Sequence, residues 1–137
     1  MDKESFKLGK QVGEIKAWCE AAGNGAKAMS LSAPFRPQDY EVLLPWMEKL
    51  ASRNKVQFHL ERTLLVTDLF PDINLTNIWV FIIYREDRTL EEYASLKVEK
   101  ERLVQEERYL GEAQRGIATR MGLLLGYDEG LLKRRLE

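Results

Sequence analysis

Cysteine and histidine are almost absent from these 137 residues: each occurs once, as Cys19 and His59. A lone cysteine cannot close an intramolecular disulfide, and one Cys with one His cannot supply the four ligands of a structural zinc site. No cofactor and no metal are expected. Long apolar runs are also missing. The longest, Ile78 to Tyr84, falls far short of the roughly 20 residues that a membrane-spanning helix needs. The first residues, MDKESFKLGKQVGE, are charged throughout and lack the apolar stretch of a signal peptide. The expectation is a cytoplasmic protein without a membrane partner, in which Asn74-Leu75-Thr76 matches the glycosylation sequon without meeting the enzyme that reads it. Charge of one sign is not in excess either. With 21 Lys and Arg against 22 Asp and Glu, the net charge is -1, which argues against nucleic acid as a partner.

What is present is the composition of a packed globule, 45% hydrophobic and 31% charged, in a length suited to one domain spanning 1–137. Leu8, Val12, Ile15, Cys19 and Ala22 recur at helical spacing, with Trp18 flanking the stripe and Gly23 predicted to cap the helix. Ala28 to Ala33 alternates apolar and small polar residues, as a short strand does, before Pro34 and Pro37 end it. Tyr40, Leu43, Leu44, Met47 and Leu50 carry helical spacing again, and Pro45 among them is expected to kink or split that helix. From Lys55 to Thr67 the period becomes two, with Val56, Phe58 and Leu60 pointing one way and Gln57, His59 and Glu61 the other. In the next segment both faces, Ile78, Val80, Ile82 and Trp79, Phe81, Ile83, are apolar, which places that strand at the centre of its sheet.

Thr89-Leu90-Glu91-Glu92 has the form of a capping box. Leu96, Leu103, Leu110, Ile117 and Leu124 then fall on a seven-residue repeat and predict one long helix ending near Gly126, followed by a short helix capped by Asp128. The fold class that follows is α+β, with a small mixed or antiparallel sheet of about three strands between an N-terminal helix and a long C-terminal helix. A right-handed crossover through the second helix makes the first two strands parallel and puts the third between them, a split βαβ, ferredoxin-like core. The first helix, a second subunit or a ligand would cover the remaining face of the sheet.

His59 is the one side chain with an ordinary pKa near neutrality. If the hairpin closes with Thr67 opposite Thr76, His59 lies opposite Tyr84 and Glu61 opposite Ile82. That constellation, with Arg85 following, has the composition of a small-molecule pocket; equally, Gln57, His59 and Glu61 read as the solvated side of an edge strand. Other signals have plainer readings. Asp68, Asp72 and Asn74 offer oxygen ligands in one loop, but at spacings that fit turn formation better than a calcium loop. Gly23 to Lys27 follows a helix and precedes a strand, the reverse of a phosphate loop. Ala118, Gly122 and Gly126 form a small-residue face that admits a close neighbour. Lys133, Arg134 and Arg135, with Arg115 and Arg120, are the basic residues that could meet phosphates, and they also suit helix C-termini.

Two functions remain open on the sequence alone. The first is a non-enzymatic homodimeric module that binds a small ligand or a protein partner, with His59, Glu61, Tyr84 and Arg85 as the ligand-binding residues. The alternative is a small enzyme in which His59 is the general acid or base, Glu61 orients it, and Tyr84 or Arg85 polarises a substrate oxygen.

Overall fold

The computed structural model describes residues 2–70 and 75–137. The element order is α1 (Lys3–Gly23), β1 (Met29–Leu31), a 3-10 turn (Pro37–Asp39), α2 (Tyr40–Asn54), β2 (Gln57–Glu61), β3 (Val80–Tyr84), α3 (Asp87–Gln105), α4 (Gly111–Leu124) and α5 (Glu129–Arg135). These elements form two compact units, Met1–Leu64 with Leu75–Glu86 and Leu65–Asn74 with Asp87–Glu137.

In the first unit the sheet order is β1-β3-β2, and β3 runs antiparallel to both neighbours. The two outer strands are therefore parallel to each other, with the doubly apolar strand between them. Phe81 and Ile83 are fully buried on one face of β3, Val80 and Ile82 almost equally on the other. On the Phe81 face, α1 contributes Ile15, Cys19 and Ala22, and α2 contributes Leu43, Met47, Leu50 and Ala51. The first helix thus joins the second on one face of the sheet and does not cover the opposite one. The two helices run in the same direction. Lys7 meets Asp39 at their N-terminal ends at 3.1 Å, and Gly23 packs on Asn54 at their C-terminal ends, where an added β-carbon would lie 2.8 Å from the Asn54 carbonyl oxygen.

Several local expectations change. Pro45 does not split α2, which is continuous. The carbonyl opposite its missing N–H belongs to Glu41, in the exposed first turn, where water can satisfy it. The left-handed residue that stops α1 is Gly25, with φ of 83°, while Gly23 closes the helix and is small because Asn54 lies against it. The predicted strand from Lys55 to Thr67 contracts to Gln57–Glu61. Beyond Ser32 the β1 ladder resumes one residue out of step. Ser32 N–H donates to Phe81 O at 3.0 Å, and Phe35 exchanges two backbone bonds with Trp79. Pro34, which has no N–H to give, sits in the extra residue's path.

In the second unit the predicted long helix is two helices. α3 ends in a Schellman motif around Glu107: Arg108 N–H donates to Leu103 O at 2.7 Å and Glu107 N–H to Val104 O at 3.1 Å, with Glu107 at φ 56°. This is the same closure that Gly126 makes at the end of α4, built here without glycine. The seven-residue repeat runs through the break, so Leu103 and Ile117 are buried while Leu110, between the helices, is exposed. The capping box does not form. α3 starts at Asp87, which leaves Thr89 inside its first turn, and the Glu92 carboxylate accepts from Arg120 instead. Asp128 does cap α5, its side chain accepting from Leu131 N–H at 3.0 Å.

Candidate functional site

The four residues singled out around the sheet have different fates. The observed register pairs Gln57 with Tyr84, His59 with Ile82 and Glu61 with Val80. This is two residues from the expected pairing, because β2 ends at Glu61 and no ladder continues toward Thr67 to set the closer turn. A two-residue slip keeps every side chain on its face, so His59 and Tyr84 still share one. They are diagonal neighbours, about 7 Å apart between β-carbons in an antiparallel pair. His59 is exposed on an edge strand. Glu61 and Tyr84 are buried, at 6% and 7% exposure, and the Glu61 carboxylate accepts from Thr63 N–H at 3.1 Å. Arg85 is exposed and turned to the end of α1, donating from Nη1 to Gly23 O at 3.4 Å with Glu86 at 4.0 Å. Gln57 Nε2 bonds the Arg85 carbonyl at 3.3 Å.

The lone thiol is unsuited to chemistry. Cys19 is completely buried, and desolvation, with the nearby Glu20 carboxylate, pushes its pKa up to about 11, so it stays protonated and unreactive at neutral pH. Among the described residues, no group of three His, Cys, Asp or Glu side chains gathers as a metal site would require. Asp72 and Asn74 lie outside the described residues, and the Asp68 carboxylate accepts from Gln114 Nε2 at 2.7 Å.

The second unit holds its 65–70 segment by bonds that sequence reasoning missed. Tyr93 OH accepts from Leu65 N–H at 3.0 Å, and Lys100 Nζ donates to Val66 O at 2.6 Å while lying 5.0 Å over the Tyr109 ring. The Tyr109 hydroxyl is buried without a partner among the described residues, and desolvation, helped by Asp68, raises its pKa. Of the basic residues considered for phosphate, Arg120 is committed. It donates to Glu92 Oε1 from Nε and Nη2 and to Glu99 Oε2 from Nη1 at 2.6 Å, and those bonds, that to Glu92 foremost, raise its pKa.

Each unit also carries a cleft among its described residues. One, of about 310 Å³, lies between the N-terminal halves of α1 and α2, with Leu8, Leu43 and Val42 among its apolar lining and Lys7, Arg36 and Asp39 among its polar lining. The other, of about 720 Å³, lies between α4 and α5 and includes Arg115 and Lys133. The sequence signal for the first was Val42, an apolar residue of α2 that lies off its buried stripe. No protein-family model, no curated protein and no solved structure matches this chain.

Proposed function

We propose that this chain is a non-enzymatic cytoplasmic module that forms a homodimer and binds a small ligand or a protein partner. The observation that carries the reading is the outer side of α2, where Val42 and Trp46, 54% and 41% exposed, lie one turn apart and Val42 lines the cleft shared with α1. Large apolar side chains grouped beside a concavity and rimmed by charge are the usual makings of an interface. Lys49 lies 5.7 Å over the Trp46 ring, and Lys7, Arg36 and Asp39 form ion pairs at the cleft. The arrangement of β1, α2 and β2 with β3 between the strands supports reading the first unit as a split βαβ, ferredoxin-like core without its last strand.

Sedimentation velocity over a concentration series tests the dimer. The wild-type chain is expected to shift from monomer to dimer, and Val42→Glu with Trp46→Glu to remain monomeric with an unchanged circular dichroism spectrum. A wild-type chain that stays monomeric throughout would sink the homodimer. A second reading rests on His59, exposed on the same strand face as the buried Glu61 carboxylate: a general acid or base acting on a small substrate. Hydrolysis of p-nitrophenyl acetate faster than by the urea-unfolded chain, and lost in His59→Ala, supports that reading; equal rates dismiss it.

A further inference from the structure

α4 and α5 pack closely at Gly122 and Leu132, and a cleft of about 720 Å³ lies between the two helices. Arg115 and Thr119, one turn apart, line it from α4; Glu129 and Lys133, also one turn apart, line it from α5, with Leu136 and Glu137 beyond. The charges are balanced yet uncommitted. Neither Arg115 nor Lys133 is in an ion pair among the described residues, although two carboxylates share the cleft with them. Arg120, further along α4, is the contrast, held by both Glu92 and Glu99.

We infer that this cleft binds a small zwitterion with an apolar tail, of the chemical class of a free aliphatic amino acid. Its carboxylate meets Arg115 and Lys133, with the Thr119 hydroxyl as a further donor, through charge-assisted hydrogen bonds. Its ammonium faces Glu129 and Glu137, and its tail lies on Leu136. The volume falls within the range of small-ligand sites. A simple anion would meet the repulsion of the two carboxylates, and a simple cation that of Arg115 and Lys133, so the lining selects for both charges in one molecule. Exposed pairs between side chains contribute little, so a ligand that recruits either cation displaces nothing of value. The inference rests on the small-ligand half of the proposed function and is independent of the dimer.

The test is a titration of the full chain followed by amide chemical shifts, with L-leucine as the zwitterion, isocaproate as its carboxylate alone and isoamylamine as its amine alone. L-Leucine is expected to give saturable shifts at Thr119 and Gly130, with each half-ligand at least about tenfold weaker. Arg115→Gln and Lys133→Gln are each expected to weaken L-leucine about tenfold, while Arg134→Gln, outside the cleft, leaves it unchanged. Absence of saturable shifts overturns the inference, as does isocaproate binding as well as L-leucine or indifference to both cleft substitutions. Sedimentation reads the dimer separately, so failure of one is not failure of the other.

Discussion

Leu132 occupies the space that a side chain on Gly122 would need. Its methyl carbons are the nearest atoms to a β-carbon built there, and Leu69 Cδ1 would lie 3.0 Å away. The small-residue face of α4 is thus filled from within the chain, by α5 and the 65–70 segment, with Ala118 and Leu132 both fully buried. Gly122→Ala is expected to cost about 1–3 kcal/mol through overpacking. Gly116, in the same helix with nothing near its absent side chain, gives the opposite sign: Gly116→Ala gains roughly 0.5–1 kcal/mol. Urea unfolding of the two variants checks the pair, and like signs would contradict the packing described.

Two buried serines, Ser30 in β1 and Ser32 just beyond its end, separate satisfied from unsatisfied polar burial. Ser32 Oγ accepts from Phe81 N–H at 2.9 Å, standing in for a backbone carbonyl where the strand leaves the ladder. Ser30 Oγ, fully buried, has no partner among the described residues. Ser32→Ala orphans a buried N–H and is expected to cost about 1–3 kcal/mol; Ser30→Ala removes an unpaired hydroxyl and is expected to be neutral or stabilising by about 1 kcal/mol. Thermal midpoints of the two variants decide it, and a larger loss at Ser30 would contradict the assignment.

Glu107 holds a left-handed conformation that glycine adopts without strain. Glu107→Gly is expected to stabilise the chain by about 1 kcal/mol and Glu107→Val to destabilise it by at least as much. If α3 and α4 were instead one continuous helix, glycine would be the more harmful substitution, so the order of the two unfolding midpoints tests the break directly.

Burial of Cys19 makes stability depend on alkaline pH. Its folded pKa is raised from 9.0 to about 11, so the unfolded thiol loses its proton first. The stabilisation is complete below pH 9 and is lost as pH rises toward 11. Cys19→Ala is expected to lack this component of the alkaline decline in urea midpoint, at the cost of a small cavity. A decline of equal slope in the variant would assign it elsewhere. Ellman's reagent should react only on unfolding.

The strand order and the cores of α1 and α2 were legible because burial leaves a period in the sequence. Ile15, Cys19 and Ala22 recur every three or four residues, and Ile78 to Tyr84 is apolar on both faces because a central strand has no solvated side. The caps at Gly126 and Asp128 were legible because glycine and aspartate suit those conformations by their own chemistry. What the tertiary structure decided lies where local chemistry is neutral. Glu107 carries no sign of a helix end, and a heptad repeat looks the same whether a helix continues or folds back. The register of β2 against β3 followed from where pairing stops, which no residue near Glu61 announces. Arg120 became a clamp and Arg115 a cleft wall, although both are arginines on α4, because Glu92 and Glu99 stand opposite one and not the other. Side-chain type fixes what a residue can do; the neighbour brought to it by folding fixes which of those things it does.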